Sequence, residues 1–84
     1  MSLSRESVVA TVSDILAGIA PDADLTTVDP AGNLREQLDL DSMDFLGLVT
    51  RLHERTGVAI PEADYRKVGS LDALVAYVQA RAGG

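Results

Sequence analysis

The stretch Asp39-Leu40-Asp41-Ser42-Met43-Asp44-Phe45-Leu46 holds the residue types best suited to chemistry. A hydroxyl stands there where an acidic segment gives way to an apolar run with helical spacing. Ser and Asp at such a place are first of all helix N-caps, whose side-chain oxygens accept from first-turn backbone N–H groups. The same place also suits a covalently attached phosphate group, because unpaired N–H groups and the positive end of the helix dipole meet an anion there. Asp41 is the better cap of the two, since its carboxylate can hold the helix start whether or not the Ser42 oxygen is substituted.

Catalysis by Ser42 itself is disfavoured. A nucleophilic serine needs a positioned base and oxyanion donors, and the only histidine, His53, lies about three helical turns further along at ~1.5 Å rise per residue. His53 is read as a surface residue, and no catalytic residue is expected. Asp39 and Asp41 mimic the first and third positions of a calcium-binding loop, but Met43, Asp44 and Thr50 then occupy positions that require an oxygen ligand, a glycine and a glutamate. With no cysteine and one histidine, neither a disulfide framework nor a zinc site is available, and no metal site is expected.

Charge sharpens the picture. Residues 20–44 hold Asp22, Asp24, Asp29, Glu36, Asp39, Asp41 and Asp44 against Arg35 alone, and this segment accounts for the net charge of −6 of the whole chain. Such a balance repels nucleic-acid phosphates and excludes a nucleic-acid partner. The acidic run is either a solvated loop or a docking surface for a basic partner. The first residues lack the apolar core of a signal peptide, and no run approaches the ~20 apolar residues of a membrane span, so a soluble, cytoplasmic, monomeric protein is expected. Eighty-four residues form one domain, 1–84, with a single core.

The elements that must position Ser42 follow from apolar spacing. Residues 4–19 put Val8, Val9, Val12, Ile15, Leu16 and Ile19 on one helical face behind a Ser4 cap, ending near Gly18 and Pro21. A long connection over 20–41 follows, too rich in Leu25, Val28, Leu34, Leu38 and Leu40 for a free linker, with a short turn expected over residues 33–38. The second helix spans about 42–56 and stops at Gly57, with Phe45, Leu48, Val49 and Leu52 facing the core. Met43, Leu46 and Thr50 form a second stripe, for which burial is slightly preferred over a partner face. Pro61, at a first helical position, opens a short helix over about 62–67. Ser70 caps a last helix over about 71–81, buried through Leu71, Leu74, Val75 and Val78. Gly83-Gly84 reads as a frayed end. The sum is an all-α four-helix bundle of three longer helices and one short one.

This layout resembles the acyl carrier proteins, the phosphopantetheine-dependent carrier family, over almost the whole chain. The long first loop, Asp41-Ser42-Met43 opening the second helix, Gly57 closing it and Ile60-Pro61 opening the third carry the likeness. The family's core is Asp-Ser-Leu, and Met43 replaces the leucine. The resemblance implies that Ser42 bears a covalent 4'-phosphopantetheine arm, transferred from coenzyme A by a phosphopantetheinyl transferase with magnesium. It also implies that the arm's thiol carries acyl groups between acyl-loading, condensing and acyl-transfer enzymes of a fatty-acid, polyketide or specialised pathway. A carrier of aminoacyl or peptidyl groups, and a helical interaction module that is never modified, are the alternatives.

The chain also departs from that family. Its fatty-acid members have a glutamate-rich second helix, whereas here Gly47, Arg51, His53 and Arg55 leave only Asp44 and Glu54 as acids. Partners selecting an acidic ridge should bind it less well, and docking is expected through Met43 and Leu46 with Asp39, Asp41 and Asp44 around them. Leu34, Leu40, Phe45, Tyr65 and Leu74 are the candidate lining of an acyl pocket by the same resemblance, one made shallow by the bulk of Phe45 and Tyr65.

Overall fold

Apolar residues three and four apart build the three long helices in the computed structural model, which describes residues 3–82. Helix α1, Arg5–Ile19, buries Val8, Val12, Ile15 and Leu16, while Val9 and Ile19 sit half-buried at the edge of that face. The Ser4 hydroxyl caps it by accepting from the Ser7 N–H at 3.1 Å. Helix α1 packs against both later long helices, and one cluster of aliphatic side chains around Phe45 forms the core. There is no strand among the described residues. The Gly83-Gly84 end lies outside them.

The first connection is more ordered than one short turn. Leu25–Thr27 forms a 3-10 turn capped by Asp24, whose carboxylate accepts from both the hydroxyl and the N–H of Thr26, in that order holding its pKa below the ordinary value. Leu34–Gln37 then forms a four-residue helix, α2, capped by Asn33. Long-range bonds fix α2 and the segment before it. The Leu34 N–H donates to the Gly69 carbonyl at 2.9 Å, and the Asp72 N–H to the Pro30 carbonyl at 3.0 Å. The Gln37 amide bridges both backbone groups of Asp29, donating at 3.0 Å and accepting at 2.7 Å. With its N–H committed and its side chain fully buried, Leu34 anchors the loop in the core.

Helix α3, Ser42–Thr56, buries Phe45, Leu48, Val49 and Leu52 and ends at Gly57, whose φ of 76° is a conformation that glycine adopts without steric cost. The short third element differs from the helix expected there. It is a 3-10 helix, Glu62–Val68, and Pro61 lies just outside it in extended conformation. Three residues per turn bring Tyr65 and Val68 to the same side, toward the core, which the spacing of an α-helix would not align as closely. Helix α4, Leu71–Ala82, buries Leu71, Leu74, Val75 and Val78, and Ser70 caps it through the Ala73 N–H at 3.1 Å.

Asp64 ties the 3-10 helix to α4. Its side chain is only 15% exposed and accepts from the Tyr77 hydroxyl at 2.6 Å, with Lys67 and Arg81 at 3.4 and 3.5 Å. The Tyr77 hydrogen bond is the main reason its pKa lies below the usual carboxylate value, while desolvation first, then the Asp64 contact, raises that of Tyr77. Arg81 also stacks over the Tyr77 ring, 4.2 Å from its centre.

Candidate functional site

The site is built by the way α2 ends. Leu38 closes the helix, and Asp39 follows in the left-handed conformation with φ of 55°. The Leu40 N–H then donates to the Arg35 carbonyl at 2.9 Å, and the Asp39 N–H to the Glu36 carbonyl at 3.4 Å. These are the two bonds of a Schellman motif, which reverses the chain direction after a helix. Leu40 turns inward and is buried, and the next two residues, Asp41 and Ser42, emerge exposed at the start of α3.

Asp41 is the N-cap of α3. Its carboxylate accepts from the Asp44 N–H at 2.8 Å, while the Asp44 carboxylate accepts from the Asp41 N–H at 3.4 Å, a capping box with aspartate in place of the usual glutamate. Ser42 takes no part in the cap. Its Oγ is exposed and receives one long hydrogen bond, 3.4 Å from the Arg35 Nη2.

The same turn folds the Arg35 guanidinium back toward the serine. The guanidinium lies 5.4 Å over the Phe45 ring, which in turn meets Tyr65 edge-on at 5.3 Å and an interplanar angle of 78°. Among the described residues, the buried Arg35 Nε has no hydrogen-bond partner. In the sequence Arg35 stands out only as the one positive charge among the seven carboxylates of residues 20–44.

The second stripe of α3 is exposed, contrary to the preference for burial. Met43 is 74% and Leu46 46% exposed, and Thr50 is exposed as well. Helix α1 packs on α3 and Tyr65 meets its Phe45, whereas Met43 and Leu46 are the exposed large apolar side chains among the described residues. Asp39 and Asp41 are exposed beside that stripe, and Asp44 is half-buried. His53 is exposed. No group of three or more His, Cys, Asp or Glu with metal-binding geometry occurs among the described residues.

Of the residues considered for an acyl pocket, Leu34 and Leu74 are fully buried in the packed core. Phe45 and half-buried Tyr65 line a solvent-open hollow of about 330 Å³ together with Asn33, Arg35, Arg66 and Gly69. Leu40 borders a second open hollow of about 390 Å³ with Glu36 and Asp39. Asn33 and Arg35 line both hollows.

A family model described as the phosphopantetheine attachment site matches residues 6–78, which with this helical fold defines a phosphopantetheine-bearing carrier domain. The chain is 30% identical over 76 residues to the acyl carrier protein of Rubrobacter xylanophilus, covering 90% of this chain and 93% of that one. It is 33% identical over 75 residues to the acyl carrier protein of Helicobacter hepaticus, covering 89% and 92%. It is also 26% identical over 82 residues to the meromycolate extension acyl carrier protein of Mycobacterium tuberculosis, covering 94% and 68%. The solution structure described as that of a candidate acyl carrier protein from Anaplasma phagocytophilum matches with a TM-score of 0.76 at 25% identity, covering 96% of this chain and 94% of that one. The chain belongs to the acyl carrier protein family, whose cofactor is 4'-phosphopantetheine. The start of α3 fits that group, offering an exposed hydroxyl, first-turn N–H groups and a guanidinium with an unused donor.

Proposed function

We propose that Ser42 is the attachment point of the phosphopantetheine arm and that the chain carries acyl groups as thioesters on the thiol the arm supplies. The observation that carries this reading is the division of labour at the start of α3. Asp41 caps the helix with its carboxylate, and the adjacent Ser42 hydroxyl is exposed, takes no part in the cap and accepts only a long bond from Arg35. A phosphopantetheinyl transferase would join the Ser42 Oγ to phosphorus as the pyrophosphate bond of coenzyme A breaks, with adenosine 3',5'-bisphosphate leaving and the hydroxyl proton passing to a base of the transferase. Asp41 keeps the helix start intact through that change.

In this reading the chain contributes no catalytic group, and works as a cytoplasmic monomer visited by acyl-loading, condensing and acyl-transfer enzymes. Met43 and Leu46, exposed with Asp39, Asp41 and Asp44 around them, form the docking face. Exposed Arg51 and Arg55 further along α3 support a specialised acyl pathway, because enzymes that select a uniformly acidic helix would meet like charge there. Co-expression with a transferase followed by intact mass measurement tests the carrier reading. One phosphopantetheine increment is expected; none would favour an unmodified interaction module.

A further inference from the structure

Residues 20–44 carry seven carboxylates and one cation, and the fold brings that cation to Ser42. A phosphodiester attached there would meet the negative charge of Asp39, Asp41 and Asp44 at close range in sequence. The Asp44 N–H at the helix start is already taken by the Asp41 carboxylate. Arg35 is the one side chain of this segment that can offset the repulsion.

Its geometry fits more than a general charge. Nε–H and Nη2–H lie on one edge of a guanidinium and point the same way, the pair of donors with which arginine grips two oxygens of a phosphate. In Arg35, Nη2 lies 3.4 Å from the Ser42 Oγ, the atom to which phosphorus would be joined. Nε, the other donor of that edge, is buried and has no partner among the described residues. A buried N–H without an acceptor is costly, and such groups in native proteins call for an explanation. A cation–π contact holds the guanidinium over the Phe45 ring, and the bond from the Leu40 N–H to the Arg35 carbonyl fixes its backbone against the turn that leads to Ser42.

We infer that Arg35 is the phosphate-binding residue of this carrier, gripping the two non-bridging oxygens of the Ser42 phosphodiester through Nε–H and Nη2–H and so fixing the root of the arm. The inference rests on attachment at Ser42. Arg35 is a positioning residue: it forms and breaks no covalent bond.

The test compares apo and holo forms, each verified by intact mass, of the wild type and of Arg35→Gln. In the wild type the Arg35 Nε–Hε resonance is expected to move downfield on loading, and its exchange with water to slow. The phosphorus resonance of holo Arg35→Gln is expected to be displaced from that of the wild-type holo protein. A loaded wild type whose Nε–Hε signal does not respond, or identical phosphorus resonances in the two holo proteins, would overturn the role of Arg35 and leave Ser42 attachment standing. A wild type that cannot be loaded removes both. Should Arg35→Gln fail to fold without the contact to Phe45, the Nε–Hε comparison in the wild type decides alone.

Discussion

Asp41 and Asp44 each hold the other's backbone N–H at the start of α3, at 2.8 Å for the Asp44 N–H and 3.4 Å for the Asp41 N–H. The shorter bond is the one made by the Asp41 side chain. Asp41→Ala should therefore cost about 1 kcal/mol, as lost caps do, and Asp44→Ala less. The two losses should not add, because they break one reciprocal unit. Chemical denaturation of the two single variants and the double variant measures all three.

Asp39 holds a conformation that glycine tolerates best, with φ of 55°. Left-handed backbone costs L-residues roughly 1–2 kcal/mol, least for Asp and Asn. Asp39→Gly should raise stability by at most about 1 kcal/mol, and Asp39→Val, with a branched Cβ, should lower it by about 1 kcal/mol or more. Thermal melts of the three proteins side by side are the check.

These two residues also mark what the sequence could reveal. The three long helices were legible because Val8, Val12, Leu48, Leu52, Leu74 and Val78 repeat at helical spacing, and Ser4, Gly57 and Ser70 are local signals at their ends. The order inside the first connection was less so. Leu34 owes its place to the Gly69 carbonyl and Pro30 is held by the Asp72 N–H, partners 35 and 42 residues away in sequence. The approach of Arg35 to Ser42 depends on a left-handed turn at an aspartate, where no glycine announces it. The exposure of Met43 and Leu46 was hidden for another reason: periodicity finds an apolar stripe but does not say whether a neighbour covers it.

The Asp64–Tyr77 contact gives stability a defined pH window. The Asp64 pKa is lowered below 3.8 and the Tyr77 pKa raised above 10.0. A lowered acid stabilises the fold above its unfolded pKa and loses that contribution as pH falls through the lower folded value. A raised phenol stabilises below its unfolded pKa and loses it as pH climbs through the folded value. Asp64→Asn should accordingly be less stable than the wild type between about pH 5 and 9, with the gap narrowing toward strong acid. Melting temperatures of both proteins from about pH 2 to about pH 9 test it; a gap unchanged at low pH would contradict it.

Met43 and Leu46 present exposed apolar surface at the start of α3. The double variant Met43→Ala, Leu46→Ala should change stability by no more than about 0.5 kcal/mol, as surface substitutions do. Its loading by a transferase should slow on the order of tenfold, the effect of removing a central docking contact. Asp44 is left untouched because its carboxylate belongs to the cap. Loading kinetics with stability measured in parallel separate docking from folding.

The most direct measurement is fragmentation mass spectrometry of protein purified from its native host, read at the peptide that contains Ser42, with Ser42→Ala expressed alongside. The phosphopantetheine mass should sit on the Ser42 side chain, and Ser42→Ala should lack it while melting within about 0.5 kcal/mol of the wild type. A Ser42 found unmodified in every sample, or the same added mass on Ser42→Ala, would contradict the account.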